Sequence, residues 1–228
     1  LLIFIKILNV VFFNFINIWQ ILLTINILLS LIIATFNTFK QYKIKRFLIF
    51  SSMTHIGYII LGITTGTIEG IQSAFVYLII YLLSILNIWS IYSYLNNKIK
   101  YLSDLSYLYS YNKTLGLSFI ITMFSMAGVP PMAGFLAKFY SFFVCIENNF
   151  ILLACIGILL SIICLFYYIR FLKIIYFEKT NNFLILTHNL SKTTAFVISL
   201  TSILLIYLFI NPSPIFILAH KLALSLCL

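Results

Sequence analysis

Apolar runs of about 20 residues recur along this chain, and as helix such a run crosses the roughly 30 Å hydrocarbon core of a bilayer. They lie near residues 1–16, 18–37, 47–65, 71–96, 114–147, 150–177 and 192–210, joined by short polar connections. Inside hydrocarbon every backbone N–H and C=O needs a partner within the protein, which leaves helices or a closed barrel. Stretches such as Phe150–Tyr168 and Ile198–Ile210 show no two-residue alternation, and that selects helices. With 63% hydrophobic and 8% charged residues, the chain has too little polar surface to fold as a soluble domain. The expectation is an all-α polytopic transmembrane bundle of about seven helices, forming a single transmembrane domain over residues 1–228.

A formal net charge of +10 would suit nucleic-acid binding in a soluble protein. Here the charges sit in the gaps between apolar runs, which is the pattern that sets membrane orientation, so no nucleic-acid partner is expected. Placing successive gaps on alternate sides collects Lys40, Lys43, Lys45, Arg46, Lys98, Lys100, Lys113, Lys173, Lys179 and Lys192, with Asp104 and Glu178, on one side. The other side receives only Glu69, Glu147 and Lys221. The basic side is therefore expected to face the matrix or cytoplasm, and lipids are expected to surround the bundle. Lysine far outnumbers arginine, and 23 Phe and 15 Tyr stand against 8 Gly and 4 Pro, a bias typical of A/T-rich genes such as mitochondrial ones. The first apolar stretch has neither a basic leader nor a small-residue cleavage site, so no cleavable signal is expected.

Cys145, Cys155, Cys164 and Cys227 fall in apolar segments without metal-ligand spacing and read as buried thiols. There is no phosphate-binding loop, no dinucleotide fingerprint, no ligand cluster for haem or iron–sulfur, and no catalytic triad. The chain is expected to bind no metal and no cofactor and to hold no redox or hydrolytic active site of its own.

Three ionisable residues at membrane depth carry the chemistry. A lysine at the centre of a membrane helix costs about 2.5–3.5 kcal/mol on insertion scales, so its retention asks for a reason. Lys6, inside LLIFIKIL, reads either as a snorkelling end-of-helix lysine or as a proton carrier facing a hydrated interior. Lys138 is the stronger candidate. Its segment, 114–147, would be roughly 50 Å long as one helix, too long for the bilayer without a break. The break is legible in GVPPMAG at 128–134, where Pro130 and Pro131 remove backbone donors and Gly128 and Gly134 permit unusual dihedrals. Lys138 follows by one turn, near the positive end of a half-helix expected to start at Met132. Discontinuous helices at mid-membrane are where transporters place ion sites. The alternative is a structural lysine bonded to carbonyls that the prolines free. His55, in SSMTHIGY about two turns into its helix, is either a proton relay or a packing hydrogen-bonder. Arg170, Lys45 and Arg46 read as snorkelling side chains, and His188 and His220 as interfacial residues without a site role.

Three blocks then carry a resemblance: KIKRFLIFSSMTHIGY at 43–58, FSMAGVPPMAGFLAKFY at 124–140, and YYIR at 167–170. Together they resemble the antiporter-like membrane subunits of respiratory complex I. That family has two inverted repeats of five helices, each with one broken helix, and a line of lysines through the membrane. The resemblance implies that this chain holds the second repeat with flanking helices. It implies that Lys138 is the broken-helix lysine and Lys6 the lysine of the helix preceding that repeat. It also implies a proton-translocating role in the mitochondrial inner membrane, with basic loops in the matrix, within a complex whose NADH, FMN, iron–sulfur clusters and ubiquinone are bound by other subunits. Most of the first repeat, including its glutamate–lysine pair and its own broken helix, has no counterpart here, so a further chain supplying those helices is an expected partner. Two other readings remain open at this point: a subunit of a multi-subunit cation/proton antiporter, and a structural membrane subunit that moves no protons.

Overall fold

A computed structural model describes residues 1–95, 101–106, 108, 112–177 and 191–227. The sequence-derived positions Lys98, Lys100, Glu178, Lys179 and His188 lie outside the described residues. Within them the chain is helical, with nine α-helices: α1 (Leu2–Lys6), α2 (Ile16–Phe39), α3 (Ile44–Thr64), α4 (Ile68–Tyr94), α5 (Lys113–Ala127), α6 (Ala133–Glu147), α7 (Ile151–Phe177), α8 (Lys192–Ile210) and α9 (Ser213–Cys227). The stretch Phe13–Phe39, which contains α2, together with α3, α4, α7 and α8, is long and apolar enough to cross a membrane. The half-helices α5 and α6, 15 residues each, divide the long segment at the position the prolines indicate.

Many polar side chains in these helices are satisfied locally. Thr38, Ser51, Thr54, Thr64, Ser84 and Thr122 each donate a hydroxyl to a carbonyl three or four residues back, at 2.7–2.9 Å. A hydroxyl so bonded enters an apolar environment without an open donor, which is how a membrane helix accommodates Ser and Thr. The outer faces carry large apolar residues instead, among them Ile25, Leu29 and Ile33 on α2 and Leu159, Ile162 and Phe166 on α7. That is the surface lipid or another apolar helix requires.

Helix α4 is the hub, packing against α3, α5, α6, α8 and α9. Helix α2 lies against α3 and α7. On the basic side, Lys43 and Tyr101 form an isolated antiparallel bridge, with Leu102 N–H donating to the Tyr42 carbonyl at 2.9 Å. The α2–α3 connection and the strip leading to α5 are thereby tied together at one end of the bundle, where the charge sorting places them.

Two segments depart from expectation. The first apolar stretch does not run as one helix to residue 16. It forms α1, a wide turn over Ile7–Val11, and a tight turn over Phe13–Phe15. Asn9 and Asn14, with β-branched Val10 and Val11 between them, are poor helix formers, and the freed Phe12 carbonyl accepts from Trp19 Nε1–H at 3.2 Å. The other departure is α9, which lies beyond the last expected segment. At 15 residues it is too short to register as a crossing, and Pro212 and Pro214 frame its start. Its buried stripe, Ile215, Ala219 and Ala223 at four-residue spacing, belongs to a helix seated on α4 and α1.

Candidate functional site: a buried lysine at a broken helix

The break is built from Gly128. It closes α5 with φ of +80° and ψ of 42°, a left-handed conformation that glycine adopts without strain. Its N–H reaches the Phe124 and Ser125 carbonyls, each at 3.0 Å, and Val129 N–H reaches the Phe124 carbonyl at 3.1 Å. Pro130 and Pro131 follow and carry no N–H, so main-chain donors do not reach on to the Ala127 carbonyl. Chain re-entry at α6 depends on Gly134. Its N–H donates to Ser125 Oγ at 3.2 Å, and a Cβ there would collide with the Ser125 carbonyl. The two half-helices therefore cross at backbone contact.

Lys138 fills the position this break creates. It is 6% exposed, and Nζ donates to the Ala127 carbonyl at 2.8 Å. The sequence placed this ammonium near the positive end of α6. The structure instead carries it back to the carbonyl end of α5, the end of a helix dipole that attracts a cation. Its stem lies across Gly128, where a Cβ would come within 2.8 Å of Lys138 Cδ. Nζ also stands 5.5 Å from the centroid of the Tyr58 ring, a cation–π distance. Lys138 is thus held by a carbonyl and an aromatic face, with two of its three ammonium protons left over.

His55 lies on α3 and is 3% exposed. Nδ1 is 2.9 Å from the Tyr77 hydroxyl of α4, and Nε2 is 3.0 Å from the Tyr168 hydroxyl of α7. The ring stacks on Tyr81, with centroids 4.9 Å apart and planes at 26°. Tyr77 in turn stacks on Tyr58 at 6.0 Å, and the Tyr58 hydroxyl points to the Gly157 carbonyl at 3.5 Å. The aromatic sequence Tyr58–Tyr77 therefore joins Lys138 to His55. A void of about 10 Å³, the size of a single water probe, lies between His55, Tyr77, Tyr81, Ser84, Ser125 and Gly134. A groove of about 380 Å³ opens beside Lys138, lined by Gly128, Phe139, Phe142 and Ser161. A second groove, of about 330 Å³ and lined by Ser51, Ser52, Tyr81 and Trp89, opens beside His55.

Lys138, His55, Pro130, Pro131 and Gly134 are brought together as one region. Lys6 is not: it ends α1 with its side chain exposed, outside the Lys138–His55 site. Arg170 and Lys45 lie over aromatic rings, 5.7 Å from the centroid of Tyr42 and 5.6 Å from that of Tyr92. His220, read from sequence as interfacial, makes a specific contact: Nδ1 is 3.2 Å from Gln72 Oε1, which fastens α9 to α4. Cys145 and Cys164 are buried free thiols, whereas Cys155 is exposed on the outer face. Among the described residues no group of His, Cys, Asp or Glu could hold a metal ion. The tyrosines were missed. Tyr77 and Tyr81 sit one turn apart on α4 and Tyr168 adjoins Tyr167, but in a chain so rich in tyrosine that spacing carries no signal.

Known proteins match the chain on both sequence and fold. The family model for the NADH:quinone oxidoreductase/Mrp antiporter transmembrane region covers residues 1–164. NADH-ubiquinone oxidoreductase chain 2 of Marchantia polymorpha is 40% identical over 211 residues, 92% of this chain and 43% of the relative. NADH-quinone oxidoreductase subunit N of Pelagibacter ubique is 38% identical over 212 residues, 92% of this chain and 45% of the relative. A chain of the Mrp complex from Dietzia superposes with a TM-score of 0.82 at 17% identity, covering 97% of this chain and 49% of that one. A chain of respiratory complex I from Thermus thermophilus does so with 0.73 at 19% identity, covering 93% and 45%. The chain spans less than half the length of the relatives it matches. With most of its residues inside the family model, this chain belongs to the NADH:quinone oxidoreductase/Mrp antiporter transmembrane family.

Proposed function

We propose that this chain forms part of a proton-translocating membrane subunit of respiratory complex I, coupled to NADH:ubiquinone electron transfer carried out in other subunits. The observation that carries the reading is Lys138: a buried ammonium at a helix break, held by one carbonyl and one aromatic ring and flanked by a groove. A lysine held by a carboxylate would be fixed in its charge. One held by a carbonyl is not, because the neutral amine keeps two N–H donors for the same carbonyl as well as the ring to rest on. Lys138 exchanges its proton with neighbouring water, and His55 carries the proton further through the membrane.

The relatives at 38–40% identity are NADH-quinone or NADH-ubiquinone oxidoreductase subunits by name, which favours this reading over a cation/proton antiporter, which the family model and likeness of fold also admit. The residue bias and the chain 2 relatives support the mitochondrial inner membrane, with the basic ends of α2, α3 and α5 in the matrix. NADH, FMN, iron–sulfur clusters and ubiquinone belong to other subunits on this reading. Another chain supplies the helices that make up the remaining length of the relatives, and it covers the side where Lys6 is exposed.

The test is Lys138→Met, which keeps most of the volume and removes the titrating group. The complex is expected to assemble with reduced protons pumped per electron and reduced quinone-coupled turnover. An assembled variant with the unaltered ratio and turnover would make Lys138 a structural residue and end the proposal.

A further inference from the structure

Both ring nitrogens of His55 end on phenol hydroxyls, and those hydroxyls come from two different helices. The choice of partner matters. A neutral imidazole has one N–H and one lone pair, and an imidazolium has two N–H groups. A carbonyl could only accept and an ammonium could only donate, so either would hold the ring in one state. A phenol does both. With Tyr77 at Nδ1 and Tyr168 at Nε2, each of the two neutral tautomers and the cation keeps both nitrogens hydrogen-bonded, with no movement beyond rotation of two O–H bonds. Stacking on Tyr81 fixes the ring plane, so the two hydroxyls stay on the nitrogens. Each hydroxyl also has somewhere to pass a proton. Ser51, one turn before His55 on α3, borders the 330 Å³ groove. Tyr77 borders the water-sized void and stacks on Tyr58, over whose ring Lys138 lies.

We propose that Tyr77 and Tyr168 are the proton-transfer partners of His55, one delivering a proton to a ring nitrogen while the other removes a proton from the opposite nitrogen. This rests on the proton-translocation reading given above and adds two residues to it. In the step, a proton arrives at the Tyr77 oxygen from the Lys138 side as the O–H bond already there breaks and its proton forms an N–H bond at Nδ1. The Nε2–H bond breaks, its proton joins the Tyr168 oxygen, and the proton Tyr168 held leaves towards Ser51. One proton enters and one leaves, His55 changes from the Nε2–H to the Nδ1–H tautomer, and no electrons change hands. The same sequence runs in reverse when the Ser51 side is loaded.

The experiment uses Tyr77→Phe and Tyr168→Phe, singly and combined, in the complete complex reconstituted into sealed vesicles, with Lys138→Met measured alongside. Each single variant is expected to lower protons pumped per electron to the level of Lys138→Met, and the double variant no further, because the groups act in series. A hydroxyl that merely supports packing would change how much complex assembles and leave that ratio alone. Either single variant pumping at the unaltered ratio overturns the assignment, as does failure of both to assemble, which would make the hydroxyls structural. A loss in Lys138→Met without loss in the tyrosine variants removes only these two residues from the path. An unaltered ratio in all of them removes the proton-translocation reading itself.

Discussion

Gly128 and Gly134 decide where Lys138 can put its charge. At Gly134 the half-helices touch through backbone, so Gly134→Ala forces a methyl into the Ser125 carbonyl. Overpacking of that kind costs about 1–3 kcal/mol, and the expected result is less assembled complex, read as band intensity on a native gel. Gly128→Ala acts differently. A non-glycine residue at φ of +80° is strained by roughly 1–2 kcal/mol, and the new methyl would displace the Lys138 stem. Proton pumping is expected to fall further than assembly does, measured as protons per electron in complex normalised for content. Lys138→Arg should also fail to restore pumping, since a guanidinium keeps its charge throughout the useful pH range and presents a planar fork to a site shaped for one ammonium. Normal pumping by the arginine variant would show that only positive charge is needed there.

At the level of elements, α4 carries the site because it packs against α3 and against both half-helices of the break. It brings Tyr77 and Tyr81 to His55 and, near its start, Gln72 to His220 of α9. Orientation is testable on the same elements. Lys43 and Lys113 stand at the basic end and Glu69 and Glu147 at the other, as helix connectivity requires. Single cysteines replacing Lys43 and Lys113 are expected to react with an impermeant reagent from the matrix face, and one replacing Glu147 from the opposite face. Reaction of the Lys43 position from the opposite face would reverse the whole topology.

For the whole molecule, the outward faces of α2, α7 and α8 are predominantly apolar, while α1 leaves Lys6 exposed. A charged side chain on a lipid-facing surface is costly unless it snorkels or is covered. This leads to the expectation that the chain purifies with a membrane polypeptide packed against α1 and α2. Crosslinking from the Lys6 position, followed by mass spectrometry, should recover that polypeptide. Recovery of a stable monomer in detergent, with no crosslinked partner, would count against it.

Apolar run length was enough to place α2, α3, α4, α7 and α8 within a few residues, because hydrocarbon leaves a chain of this composition one backbone solution. The broken helix was equally legible, since two prolines between glycines cannot continue a helix whatever surrounds them. Both are local constraints. What sequence could not give was the partner of each polar group. For Lys138 the sequence offered both the positive end of α6 and a carbonyl freed by the prolines, and the choice of the Ala127 carbonyl depends on how α5 and α6 cross. The partners of His55, Tyr77 and Tyr168, come to its two nitrogens on α4 and α7 from positions 22 and 113 residues away. Helix α9 was passed over because its stripe of Ile215, Ala219 and Ala223 acquires meaning only against α4. Helices and their interruption follow from hydrogen bonding and solvation along the chain, whereas the site is a set of distances between helices, and those are decided by packing.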